Sequence, residues 1–115
     1  MNNLGKKYEK IAFEYLKKEK YKILELNYTT KIGEIDIIAM KNKTLILIEV
    51  KGGTNKFGDP AYRVNRKKII KISKVGEIFI NTHRELDFED VQIDVISVNT
   101  EGIIKHFQQQ RIWRG

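Results

Sequence analysis

Gly33-Glu34-Ile35-Asp36-Ile37-Ile38-Ala39 and Leu45-Ile46-Leu47-Ile48-Glu49-Val50-Lys51 are the two stretches on which the reading of this chain turns. Both are short, nearly continuous runs of β-branched and aliphatic residues, the pattern of strands buried on both faces. Lys41-Asn42-Lys43 between them is a short turn, so the two strands form an antiparallel hairpin. Into these apolar runs the sequence inserts two acids, Asp36 and Glu49, and a lysine, Lys51. An unpaired buried carboxylate costs on the order of several kcal/mol even after relaxation. The acids therefore call for a compensating partner, and a divalent cation is the first candidate.

Working outward, Leu4, Tyr8, Ile11, Ala12, Tyr15 and Leu16 recur at helical spacing and predict a helix over 3–20. Glu9 lies inside its apolar arc, whereas Glu14 lies among the lysines and is solvated. Residues 22–30 read as a first strand, nearer an edge because of their polar content. Residues 34–40 and 44–51 are the second and third. Asp59-Pro60 is a helix start, with Asp as cap and Pro at the first helical position. Asn65 offers a second cap, so a short turn precedes the main helix, which runs to about Asn81; Gly76 weakens it. Residues 90–98 alternate and form a fourth strand, and 102–107 add a fifth. The expected fold is a single α/β domain with a mixed central sheet flanked by helices, in the order α-β-β-β-α-β. It covers residues 1–107, with 108–115 as a C-terminal tail of no clear period. The long helix crosses between strands three and four, a length suited to a right-handed parallel connection.

A chain of 115 residues supports one core, and 41% apolar with 32% charged composition places it among globular proteins. Its 22 basic and 15 acidic residues leave a net charge of +7, which favours a polyanionic partner. With no cysteine, disulfides and thiolate zinc sites are excluded. No apolar run approaches the roughly 20 residues of a membrane span, and Met1–Lys7 lacks the apolar core of a signal peptide. A soluble cytoplasmic protein with no membrane partner is the expectation.

Side chains alternate along a strand, so Glu49 and Lys51 share a face with Leu45 and Leu47, and Asp36 shares one with Ile38 and Met40. In a tight hairpin the two faces coincide and bring Asp36 near Glu49. Two carboxylates that close repel unless a cation sits between them, and oxygen ligands select a hard ion such as Mg²⁺ or Mn²⁺. The spacing from Asp36 to Glu49-x-Lys51 is that of a metal-dependent phosphodiesterase centre. The competing reading is an ion pair between Lys51 and one acid, with the other acid solvated.

These segments, together with Phe57-Gly58-Asp59-Pro60, resemble the YraN-type family of small bacterial proteins. That family is similar to the PD-(D/E)xK nuclease superfamily, in particular to archaeal Holliday-junction resolvases. The resemblance spans nearly the whole chain and takes in Glu9-x-x-Ala12 with Tyr15-Leu16, Asn27, Lys67 and Asp94-Val95. It implies that Asp36 and Glu49 are metal ligands, that Lys51 is the catalytic lysine, and that Glu9 is a helix-borne acid completing the site. It also implies a restriction-endonuclease-like fold, a DNA substrate and a homodimer. Ile35 stands before Asp36, where the superfamily's nominal pair has Pro. Glu34 is expected to point away from Asp36.

Residues 51–74 carry eight basic side chains against one acid, Asp59. On a continuous helical wheel Arg63, Lys67, Lys71 and Lys74 fall within about 80°, opposite Ile69, Ile72, Val75 and Phe79. Such a ridge, with Lys56 in the preceding loop, supplies salt-sensitive phosphate contacts; alternatively it is a solvated face. The Gly52–Gly58 loop reads equally as a mobile flap over a substrate or as a plain connection, and lacks a phosphate-loop pattern. Phe57 reads as a ring packed under that loop, with base stacking as the alternative. His83 is expected to be exposed after the helix, Asp94 to make a structural hydrogen bond, and Trp113 to anchor the terminus. No zinc site is expected from His83 and His106. The functional expectation is a Mg²⁺-dependent endodeoxyribonuclease. Its alternatives are a catalytically silent nucleic-acid-binding module and a protein-binding adaptor.

Overall fold

A computed structural model describes the backbone of residues 3–114 and the side chains of residues 4–108. Helix α1 (Asn3–Lys18) is followed by strands β1 (Lys22–Thr30), β2 (Gly33–Lys41) and β3 (Thr44–Gly53). A 3-10 turn (Pro60–Arg63) leads to helix α2 (Arg66–Thr82), and β4 (Asp90–Asn99) and β5 (Ile104–Arg114) complete the chain. The five strands lie side by side in chain order. β1, β2 and β3 are antiparallel neighbours, β3 and β4 are parallel, and β5 returns antiparallel to β4. The order and the mixed sheet are those of the expected restriction-endonuclease-like fold.

The sheet separates two cores. Tyr8, Ala12 and Leu16 of α1, spaced one helical turn apart, pack on Ile37, Ala39, Ile46, Ile48 and Ile96. On the other face Ile72, Val75 and Phe79 of α2 pack on Ile35, Ile38, Leu45, Leu47 and Ile93. β2, β3 and β4 have helices on both faces, which is why they read as continuous apolar runs. Gly76 does not interrupt α2. A Cβ there would lie 2.4 Å from Leu47 Cδ1, so the residue lets the helix seat closely on β3.

The structure changes two boundaries. The cap expected at Asn65 is formed, its side chain accepting from the Lys68 N–H at 2.9 Å. Val64 and Asn65 are extended, however, so the 3-10 turn and α2 are separate helices. Arg63 therefore does not lie on the wheel of Lys67, Lys71 and Lys74. β5 begins at Ile104 and its backbone runs on to Arg114, past the point where the sequence loses its period. The reason is visible in the β4–β5 register, which shifts between Val91 and Asp94 and so breaks the two-residue alternation. The side chain of Trp113 lies outside the described residues.

Candidate active site

β2 and β3 part company at Asp36. Their pairing runs from Lys41–Thr44 to Ile37–Ile48 and stops there. Beyond it, Asp36 Oδ2 accepts the Val50 N–H at 2.8 Å, so a side chain takes over where the ladder ends. Ile35 and Ile37, two residues apart, ought to share a face. Instead Ile35 joins the α2 core and Ile37 the α1 core. The orientation slips at Asp36, and the expected alignment of Asp36 with Ile38 and Met40 is not kept. β1 accommodates the slip with Asn27 in the left-handed region (φ 50°), between the pairs Leu26–Ile37 and Tyr28–Ile35. Asparagine is among the residues that tolerate that conformation.

At this fork two acids come within electrostatic reach of each other. Burial and the charge of Glu49 push the Asp36 carboxyl up from its ordinary value to about 7. The Val50 N–H works against them, and Glu9 and Glu34 add smaller pushes upward. Glu49 is 4% exposed and, as expected, shares its face with Leu45 and Leu47 of the α2 side. Its Oε2 lies 3.6 Å from Lys51 Nζ and 3.5 Å from Lys68 Nζ. The structure thus sets Lys51 on Glu49, puts Glu49 within electrostatic reach of Asp36, and adds a second lysine that the motif did not include. Lys68 was legible in principle, since it lies one helical turn before Ile72 on the stripe that α2 buries.

Glu9 reaches the fork from the opposite side. Its Oε1 accepts from Asn27 Nδ2 at 3.0 Å, so the left-handed asparagine that bends β1 also orients the helix-borne acid. Glu9, Asn27, Asp36 and Phe13 line a cleft of about 240 Å³. A larger one, about 470 Å³, lies between α1 and β5 and holds neither Asp36 nor Glu49. Among the described residues no three Asp, Glu, His or Cys side chains gather tightly enough to enclose a metal. The pair at the fork offers two carboxylates rather than three. Magnesium sites are commonly of this kind, with one or two carboxylates, several waters and substrate phosphates. A desolvated acid held up by its neighbour's charge fits a hard divalent cation.

Of the basic residues, Lys67, Lys71 and Lys74 are exposed along α2. Arg63 is exposed on the 3-10 turn, where its guanidinium donates to Gly52 O at 2.7 Å and to Pro60 O at 3.3 Å. It closes the loop onto the end of β3. Lys56 is exposed beside Phe57, its Nζ 5.8 Å from the ring centre. Phe57 is not packed beneath its loop but is 89% exposed. Asp59 caps the 3-10 turn. Burial alone would raise its carboxyl, but the Ala61 N–H, the Ser97 hydroxyl and Lys105 outweigh this and hold it below the usual range.

The two histidines lie apart from the fork. His83 stacks on Phe79 with centroids 4.0 Å apart and bonds Phe79 O through Nδ1, so it closes α2 rather than standing free. His106 joins a chain that the sequence did not disclose. Its Nε2 lies 2.6 Å from Asp94 Oδ2 and its Nδ1 2.8 Å from the Tyr15 hydroxyl. Gln92 donates to the other Asp94 oxygen at 2.8 Å. The structural hydrogen bonds expected of Asp94 are present.

Residues 8–98 match the model of a family described as uncharacterised protein family UPF0102. Relatives carrying that family name include one from Petrotoga mobilis, 53% identical over 97% of this chain and all of the relative. One from Fusobacterium nucleatum is 48% identical over 82% of this chain and 79% of its own length. One from Vibrio parahaemolyticus is 33% identical over 97% and 93%.

Proposed function

The chain belongs to the UPF0102 family, the YraN-type family its motifs resembled, and from the geometry of the strand fork we propose that it is a divalent-metal-dependent endonuclease acting on DNA. One observation carries this reading. A buried Glu49 and a half-buried Asp36 on adjacent strands interact so that the Asp36 carboxyl is raised to about 7, with a lysine beside Glu49. The +7 net charge and the exposed lysines of α2 support a nucleic-acid substrate, and a cytoplasmic setting is part of the proposal.

Asp36 and Glu49 would hold Mg²⁺ or Mn²⁺. When bound, such a cation supplies Lewis-acid polarisation of the phosphodiester and a more acidic water. The chain's own residues do the rest. The Val50 N–H fixes one Asp36 oxygen and leaves the other available. Lys68 holds Glu49 from α2, and Lys51 presents its ammonium at the same carboxylate. From there Lys51 stabilises charge developing on the phosphate oxygens. Glu9, held by Asn27, closes the α1 side and would complete the site as the resemblance implies. Lys67, Lys71 and Lys74, with Lys56 and Arg63 nearer the strand end, contact the backbone. A homodimer, implied by the likeness to junction resolvases, accompanies this reading.

The test is a panel of linear, nicked and four-way-junction DNAs incubated with Mg²⁺, Mn²⁺ or EDTA. Cutting that needs the metal and is lost in Asp36→Ala supports the proposal, and cutting retained in Asp36→Ala overturns it. A catalytically silent binding module is the second reading. The two lysines on Glu49 favour it, because they neutralise that acid without any metal ion. Binding to DNA with no metal-dependent cutting selects it.

A further inference from the structure

Phe57 and Tyr62 are 89% and 78% exposed, the two most exposed large apolar side chains among the described residues. Both belong to the segment that joins the end of β3 to α2, just beyond Lys51. A ring left in water forfeits its burial energy, and two together on one short segment ask what covers them.

The segment is not slack. Gly58 N–H bonds Asn55 O at 3.0 Å, Lys56 N–H bonds Thr54 Oγ1 at 3.1 Å, and Ala61 N–H bonds Asp59 Oδ1 at 2.9 Å. Arg63 ties the far end to Gly52 O. Gly58 has φ +102°, and a Cβ built on it would lie 3.3 Å from the Tyr62 ring. The Tyr62 ring therefore rests against the backbone of the residue next to Phe57, and both exposed rings are carried on the same short, tied-down segment. Lys56 Nζ lies 5.8 Å from the Phe57 ring centre, Arg66 lines a cavity together with Tyr62, and both basic residues are exposed.

We infer that Phe57 and Tyr62 form a platform on which unpaired nucleobases stack, so that the preferred substrate is DNA with a single-stranded segment next to the cleaved phosphate. Aromatic faces, each with a cation beside it, match the two surfaces of such a strand, its bases and its phosphates. A continuous duplex does not fit, because each base face is already covered by its neighbour. Phe57 has no hydrogen-bonding group, so the platform reads base planes and not sequence. This inference rests on the nuclease reading for the word substrate, but the stacking itself does not.

The experiment measures fluorescence anisotropy of a labelled 15-nucleotide strand and of its duplex, in EDTA so that nothing is cut. Wild type, Phe57→Ala, Tyr62→Ala, the double variant and Phe57→Tyr are compared, each checked for a native circular dichroism spectrum. The double variant is expected to bind the single strand about 10- to 100-fold more weakly, with duplex affinity unchanged and Phe57→Tyr close to wild type. Equal losses on both DNAs, or no loss on the single strand, overturn the platform, as does a patch shown by ultracentrifugation to be covered by a second copy of the chain. Asp36→Asn separates the two proposals: if it binds the single strand as wild type does and wild type never cuts, the platform stands and the nuclease reading falls.

Discussion

Asp36 and Asp94 are both acids inside the sheet, and they are treated in opposite ways. Asp94 is fully buried, with Gln92 on one oxygen and His106 on the other, and His106 is in turn held by Tyr15. Asp36 is given one backbone N–H and the negative charge of Glu49, with Glu9 and Glu34 behind it. A buried acid whose oxygens are both met by the chain is architecture. One that the chain surrounds with further acids remains short of positive charge, which is the ground for the cation proposed there.

The contrast is broken most directly at Glu49. Glu49→Gln should lower metal-dependent cleavage by about 10³-fold while leaving the melting temperature close to wild type. Conversely, His106→Ala leaves Asp94 buried with one oxygen unmet and only Gln92 on the other. It should cost about 3–5 kcal/mol of stability, read by urea denaturation, with kcat preserved in the fraction that remains folded. If the two variants exchanged phenotypes, the division between working and architectural acids would be wrong.

A finer test uses pH. Asp36 is raised from 3.8 to about 7 in the folded chain, so across that window the folded state keeps a proton that the unfolded state has released. Stability in EDTA should therefore fall as pH rises from about 4 to 7, and Asp36→Asn should abolish that part of the slope. At pH 8, adding Mn²⁺ should raise the Tm of wild type but not of Asp36→Asn. Thermal melts across pH, with and without metal, check both. The smallest effect belongs to the exposed cations. Lys67→Gln, Lys71→Gln and Lys74→Gln should each weaken DNA binding only a few-fold and reduce the salt slope by about 0.7–0.9, measured by titration at several salt concentrations.

The sequence disclosed the strands and the odd acids within them because charge in an apolar run is conspicuous. It did not disclose the slip at Asp36. Ile35, Ile37 and Ile38 are equally apolar, and their assignment to faces is invisible when both faces are buried. Arg63 was misplaced because a helical wheel continues through residues, such as Val64 and Asn65, whose backbone is extended. Lys68 was counted only among the eight basic residues of 51–74 and given no role, although its spacing from Ile72 set it on the buried stripe. The Asp94–His106–Tyr15 chain depends on the register of β4 against β5 and on the seating of α1, neither of which composition or period encodes.

The bond from the Val50 amide to Asp36 gives the molecule a built-in gauge. Its proton sits on the carboxylate whose ionisation matters most, so the Val50 ¹⁵N–¹H resonance reports that group's state from within, without label or ligand. Titrated first with base and then with Mg²⁺, one peak would record the proton's departure and test for the metal's arrival at the same carboxylate.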